Sequence, residues 1–417
     1  MLQFRRILSS FVALLVLAMP VLYAQEYKLE KVTIASRHSV RAPLEKNMAS
    51  MSRLTKYSWY KFPVPGSNLT PRGAALEVIM GQYFKQHYDG IGFSPTVDSI
   101  YFAASPRQRT IATAECFANT FRPNETITVE HKPVDSQDRA FMPLLNDEAP
   151  GFDSNAFSRE AGREISKIIR ATEQKRREAY SFMEYFLDCE PFDERVSVGL
   201  EFRTDLSEKP REPGMIGGLR NANIASDALI LQYYEVEDPV DAAFGHNLTR
   251  AGWRELAGIK DNYGEILFTA PIVAVNVSHG ILENLYKEMS NPAHKFSFLC
   301  MHDTSIQSLL AALQVVPYNL PESTTIEAIT PIGFKFVIEK YTRNGEEFAR
   351  LRLIYQTSAQ VREMSQLSAE NPPASFNLRF KGLTPNEDGY YRWEDFMERI
   401  QFTLEAFYKT AKGEKPF

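Results

Sequence analysis

The chain has 417 residues, 44% of them hydrophobic, enough to bury one large core or two modest ones. Its formal charge of −5 leaves no basic footprint for nucleic acid. Cys116, Cys189 and Cys300 are odd in number and far apart, which excludes a zinc pattern and a disulfide framework and leaves room for at most one bridge.

Residues 1–24 read as a secretory leader: Arg5 and Arg6, an apolar run from Phe11 to Leu22, then Tyr23-Ala24 before the polar Gln25-Glu26. The run is short for a membrane span. Arg5 and Arg6 are its only charged residues, so its removal takes the formal charge from −5 to −7. The expectation is an exported, periplasmic or secreted protein that is off the membrane once the leader is gone. Sequons at Asn68, Asn124, Asn247 and Asn276 matter only in a host that glycosylates.

Three stretches then share one plan, a short apolar strand followed by polar residues and a helix or loop. The first is Lys31 to Ala35, leading into "RHSVRAP" (residues 37–43). Between Leu69 and Phe84 a helix is predicted, with Thr70 as cap, Pro71 in the first turn and Leu76, Ile79, Met80, Tyr83 and Phe84 on one face. The second stretch is Ser99 to Ser105, leading into a helix that carries Arg109 near its start. From Phe152 to Tyr263 longer, charged, helix-leaning segments point to an inserted, mostly helical domain, within which "EPGMIGGLRNAN" (residues 212–223) reads as loop. The third stretch is Phe296 to Met301, leading into "HDTSI", with Thr304 or Ser305 suited to open the following helix. "FKFVIEKYT" and "ARLRLIYQT" alternate as antiparallel strands do. The domains expected are residues 25–151 and 264–417 as an α/β unit, with 152–263 inserted. In an open α/β sheet ligands bind outside the carboxyl ends of strands, so the three polar turns are expected to converge on one crevice.

Two guanidinium groups flanking an imidazole at a strand end suit a tetrahedral oxyanion, because guanidinium forks pair bidentately with phosphate oxygens. A neutral His38 can attack phosphorus, with Arg37, Arg41 and Arg109 stabilising charge on the equatorial oxygens. Asp303 is placed to protonate a departing alkoxide, and His302 to donate to the phosphate beside a helix N-terminus. Taken alone, Arg37, His38 and Arg41 read equally as ion pairs around a core histidine; the combination with Arg109 and His302-Asp303 favours chemistry. The other histidines, His87, His131, His246, His279 and His294, read as structural. No metal or cofactor is expected, since arginine takes the charge-stabilising role.

"RHSVRAP", "QRTIATA" and "HDTSI", in that order, resemble the histidine acid phosphatase branch of the histidine phosphatase superfamily. "PGSNLTPRGAALEVIMGQY", "LILQYYE", "LFTAPIVAVNV" and "TPIGFKFVI" are similar to bacterial periplasmic glucose-1-phosphatases. The resemblance implies a phosphoglycerate mutase-like α/β sandwich with an inserted, mostly α-helical domain. It implies His38 as the residue phosphorylated, Asp303 as proton donor, and Arg37, Arg41, Arg109 and His302 as phosphate ligands. Glu235, after the aromatic pair of "LQYYE", is implied to reach the substrate from the helical domain. Ser39 and Ser305 depart from the residues usual there; both are expected on the substrate side, with Ser39 and Thr304 as substrate contacts. A cysteine pair common in close relatives is replaced near Leu383 and Tyr391.

The resulting expectation is an acid phosphomonoesterase, working through a phosphohistidine on glucose 1-phosphate or related sugar phosphates, as a monomer or homodimer. Asp303 must then carry a proton as substrate arrives. The alternative with the same machinery is a phytase, whose polyphosphorylated substrate calls for a wide basic cleft. The alternative of another class is a non-catalytic sugar-phosphate-binding protein, for which Asp303 would have no purpose.

Overall fold

The computed structural model describes residues 26–417; the leader expected over residues 1–24 lies outside them. In chain order the elements begin with β1 (Lys28–Arg37), α1 (Glu45–Leu54), α2 (Pro71–Gly90), β2 (Ile100–Ala104), α3 (Gln108–Phe121) and β3 (Val129–Glu130). The middle of the chain holds α4 (Ser154–Ala171), α5 (Glu173–Leu187), β4 (Val196–Gly199), β5 (Gly214–Gly217), α6 (Gly218–Glu235), α7 (Pro239–Ala242), α8 (Arg250–Phe268) and α9 (Pro271–Ser290). The last third holds β6 (Phe296–Met301), α10 (Asp303–Ala312), β7 (Lys335–Arg343), β8 (Glu346–Tyr355), α11 (Ser358–Glu363), β9 (Ala374–Asn377), β10 (Tyr391–Arg392) and α12 (Trp393–Thr410).

Among the described residues eight strands form a mixed sheet in the order β10-β8-β7-β1-β6-β2-β3, with β9 also on β8, and β4 pairs with β5 in a separate two-stranded sheet. β1, β6, β2 and β3 run parallel, while β7 and β8 continue antiparallel beyond β1. β6 lies between β1 and β2, with Arg37 opposite Met301 and Ala104 opposite Cys300. The ends of all three motif-bearing strands are therefore neighbours.

Side chains along these strands alternate between two cores, as the period of two requires. Ala35, Leu299, Met301, Phe336 and Ile338 pack under α9, α10 and α12. Ile34, Phe298, Cys300 and Val337 pack under α2 and α3. Both faces are covered, which explains why every residue of β6, and of β1 from Val32 to Arg37, is buried. α2 starts as expected: Thr70 Oγ1 accepts from Gly73 N at 3.0 Å, Pro71 occupies the first turn, and Leu76, Ile79, Met80 and Phe84 are buried.

A third core gathers Phe157, Tyr180, Met183, Phe186, Leu229, Trp253 and Leu256 from α4, α5, α6 and α8, and merges with Val40 and Ile332 of the sheet region. Two expectations for this part need correction. The boundary at residue 263 falls inside α8, which runs on to Phe268; the break comes at Thr269–Ala270 before Pro271. The stretch 212–223 contains β5 and the first turns of α6. Its glycines permit close approach: Gly217 has φ +103°, and a Cβ on Gly218 would meet the Asp193 carbonyl oxygen at 2.0 Å. All three cysteines are free, so the one bridge the count allowed does not form. Among the described residues no single helix is long and apolar enough to cross a membrane.

Candidate active site

The chain leaves the sheet at the carboxyl ends of β1, β6 and β2, and there a cleft of about 850 Å³ opens. His38, Arg41, Arg109, His302, Asp303 and Thr304 all line it, from three widely separated parts of the sequence. The opposite wall comes from β5 and the segment leading into it, α6 and α8, through Glu212, Met215, Arg220, Asp227, Lys260 and Tyr263.

His38 follows β1 and is 3% exposed. Its Nδ1 lies 2.9 Å from the Ser39 carbonyl oxygen. A carbonyl only accepts, so Nδ1 carries the proton and Nε2 keeps its lone pair. Burial, then the charges of Arg109, Arg41 and Arg37 and the nearby His302, hold the imidazole well below its ordinary pKa of 6.5. His38 is thus neutral through the mildly acidic range, as a nucleophile must be.

The three arginines differ in how their charge is balanced. Arg37, 1% exposed, lies beneath the cleft floor and pairs with Glu327 at 2.9 Å and Asp303 at 3.3 Å. Burial would weaken its charge, but the two carboxylates outweigh that and raise its pKa. Arg41 grips both oxygens of Asp227, at 2.9 and 3.2 Å. Arg109, in the first turn of α3, has no carboxylate partner among the described residues; its side chain donates to His302 Nδ1 at 3.4 Å. Burial and the charge of Arg41 push it down to about 9, still far above working pH, so it stays charged. The buried Nε of each of these arginines has no hydrogen-bond partner among the described residues.

His302 follows β6 and caps α10, which begins at Asp303, one or two residues before the expected start at Thr304 or Ser305, because His302 already has extended backbone and its carbonyl accepts from Ile306 N. Arginine only donates, so His302 Nδ1 accepts from Arg109 and Nε2 donates to Ser105 Oγ at 2.9 Å. Donation from His302 to a phosphate, as expected from sequence, requires Arg109 to turn to the anion and Nδ1 to carry a proton, either through the tautomer in which the Ser105 hydroxyl donates to Nε2 or through protonation of the ring. Burial and the Arg109 charge hold the ring well below 6.5 in the free site, and an arriving anion opposes that charge.

Asp303 departs from expectation. Its Oδ2 accepts from Lys260 and lies 3.3 Å from Arg37, while Oδ1 accepts from Thr304 N at 3.0 Å. Burial raises its pKa, but Lys260, Arg37 and His38 together outweigh burial and hold it well below 3.8. Asp303 is therefore ionised before substrate arrives, because its neighbours are cationic on two sides.

Three further residues do not reach the cleft. Ser39 is 2% exposed and turned toward Gly333, with its backbone N–H donating to Thr113 Oγ1 at 3.2 Å; its contribution is the carbonyl that orients His38. Ser305 is fully buried and donates to the Phe141 carbonyl, which removes it from the substrate side. Glu235 stands at the far end of α6, accepting from Thr70 Oγ1 at 3.2 Å, with Arg72 at 4.0 Å. Asp227 of the same helix lines the cleft, and eight residues at 1.5 Å rise carry Glu235 about 12 Å beyond it.

Sequence reasoning missed Asp227, Glu212 and Lys260. Lys260 had a signal: it interrupts the apolar stripe of Trp253, Leu256, Ala257 and Leu267 on α8, where a lysine needs a partner. Glu212 keeps access to solvent, yet the cleft walls push its carboxyl up against the opposing pull of Lys46 and Arg109. Arg41, Lys46, Arg107, Arg109, Arg211, Arg220 and Lys260 line the cleft, against Glu45, Asp135, Glu212, Asp227 and Asp303. The cleft is thus cationic in a net acidic chain. Among the described residues no group of three or more His, Cys, Asp or Glu side chains is arranged to hold a metal ion.

The sequence profile of the Histidine phosphatase superfamily (branch 2) matches residues 28–356. The chain is 31% identical to a glucose-1-phosphatase of Providencia rettgeri, over 90% of this chain and 92% of that one. It is 30% identical to a glucose-1-phosphatase of Salmonella typhimurium, over 89% and 91% of the two chains. Among solved structures, the phytase of Citrobacter braakii superposes with a TM-score of 0.79 at 22% identity, covering 90% of this chain and 97% of that one.

Proposed function

The chain belongs to branch 2 of the histidine phosphatase superfamily, and from that membership we propose that it hydrolyses phosphate monoesters through a phosphohistidine at His38. Nε2 of His38 forms a bond to phosphorus as the bond from phosphorus to the leaving oxygen breaks, and that oxygen takes a proton from Asp303. Water then attacks the phosphohistidine, giving a proton to the Asp303 carboxylate, and inorganic phosphate leaves. Arg37, Arg41 and Arg109 stabilise the charge that builds on the equatorial oxygens.

The observation that carries this reading is a neutral imidazole whose Nε2, among the described residues, is free, ringed by three guanidinium groups whose Nε donors lack partners there. A binding protein would need the cations and no ionisable acid beside them. The ionised state of Asp303 in the free site fits the same scheme: a phosphate dianion adds negative charge to the cleft and raises the proton affinity of a carboxylate beside it.

The favoured substrate is a sugar 1-phosphate, as the names of the two glucose-1-phosphatases suggest for relatives covering nine-tenths of this chain. A second reading, phytate, is favoured by the cationic rim of Lys46, Arg107, Arg211 and Arg220 around an 850 Å³ cleft. We place the protein outside the cytoplasm on the strength of its N-terminal leader, and read residues 152–269 as a helical insertion that closes the cleft.

Phosphate release from glucose 1-phosphate, glucose 6-phosphate and phytate tests this, with His38→Ala as the control. Loss of at least about a thousandfold in that variant is expected, as for removal of a nucleophile. Full activity in His38→Ala would overturn the mechanism, and a preference for phytate would replace the sugar phosphate as substrate.

A further inference from the structure

Lys260 lies across the cleft from the sheet, on α8, and its ammonium group donates to Asp303 Oδ2. On its other side it stands 4.0 Å from Asp227 Oδ1, the carboxylate that Arg41 grips. Charge alternates through Arg41, Asp227, Lys260, Asp303, Arg37 and Glu327. Every carboxylate in this row except Glu327 at its end stands between two cations.

The contacts of Asp303 explain what Lys260 does there. Oδ1 is occupied by Thr304 N–H, and Oδ2 faces the N–H groups of both Lys260 and Arg37. A proton on Oδ2 would point at donors, and one on Oδ1 would displace the backbone N–H. Arg37 is locked beneath the floor by Glu327 and the Thr330 carbonyl. Lys260 lines the open cleft, so of the two cations it is the one with room to move or to be replaced.

We propose that Lys260 is a positioning residue that governs when Asp303 carries its proton, and thereby confines efficient turnover to esters whose leaving oxygen departs with little protonation, such as anomeric sugar phosphates and aryl phosphates. This rests on the reading of Asp303 as the acid. The other titratable groups facing Asp303 are His38 beyond β1, Arg109 of α3, Glu212 before β5 and the neighbouring His302, with Tyr263 beside Lys260 on α8. Burial favours the protonated acid, and Lys260 heads the groups that oppose it. Removing the ammonium charge raises the pKa of Asp303, so at a given pH more of the enzyme holds the proton that a poor leaving group needs. An ordinary alkyl phosphate gains from this, and an aryl phosphate, whose oxygen leaves without help, does not.

The experiment measures kcat and KM against pH for aryl phosphates of graded leaving-group acidity and for a simple alkyl phosphate, with the wild type, Lys260→Met and Lys260→Arg. In Lys260→Met the upper limb of the alkyl phosphate kcat profile is expected to move up by about one to three pH units, the range for loss of an adjacent opposite charge. Its rate should also depend less steeply on leaving-group acidity. Lys260→Arg keeps the charge and should retain the wild-type profile. Should Lys260→Met fail to fold, Lys260→Gln, which keeps a donor to Asp303, carries the same expectation. An unchanged pH limb and leaving-group dependence, or a loss equal for all esters at all pH values, would overturn this inference alone. A wild type that releases no phosphate from any of these esters would overturn the phosphatase reading and this inference with it.

Discussion

Two clusters of buried positive charge flank the end of β1, and they are built in opposite ways. On the α2 side, Lys335 is wholly buried and its ammonium group is satisfied: it donates to Ser36 Oγ at 3.1 Å, to both Glu77 oxygens at 3.2 and 3.0 Å, and to the Gly333 carbonyl at 3.0 Å. On the cleft side, among the described residues, Arg109 makes one long hydrogen bond, to His302, and its Nε, like those of Arg37 and Arg41, is unpartnered. A closed pair locks backbone segments together and has no capacity for a ligand. An open cluster keeps unspent hydrogen-bonding capacity and repulsion that an incoming anion relieves. The first is scaffold and the second is the place where an anion belongs, although both are basic residues near one strand end.

The largest effect that would break this contrast is on the closed side. Lys335→Met leaves Glu77 buried without its cation, which costs about 3–5 kcal/mol of stability. Chemical denaturation should show that loss, while kcat per folded molecule stays close to wild type. A stable variant would mean that the pair is not scaffold. On the open side the signs reverse. Arg109→Ala should lower kcat by about a hundred- to a thousandfold, as loss of a charge-stabilising donor does. Its melting temperature without phosphate should not fall, because the charge removed is one that burial and Arg41 oppose. Phosphate should raise the melting temperature of the wild type more than that of this variant. The smallest effect sharpens the outer limit of the site: Glu235→Gln should leave kcat/KM within about twofold, because Glu235 bonds to Thr70 and does not line the cleft. A larger loss would bring Glu235 back into substrate recognition.

The reading from sequence succeeded where one residue pattern answers to one local geometry. The strand β6 and the cap and face of α2 were legible because period and capping act over a few residues. The motifs after β1, β2 and β6 were legible because a strand end is where a sheet presents polar groups. It failed where a residue's role depends on what lies across space. Glycines in 212–223 looked like a loop, yet Gly217 and Gly218 serve a close approach to Arg195 and Asp193. Glu235 and Asp227 lie on the same helix, and only the placement of α6 decides that Asp227 faces the cleft.

By itself the sequence determined the α/β plan, the nucleophile and acid candidates and the arginines, because each sits within a few residues of a strand end. The tertiary structure alone decided the charge state of those groups. His38 is neutral because it is buried and three arginines from two segments surround it, and Asp303 is ionised because Lys260 reaches it from a helix 43 residues away in sequence. Electrostatic coupling depends on distance and burial, and neither quantity exists until the chain has folded.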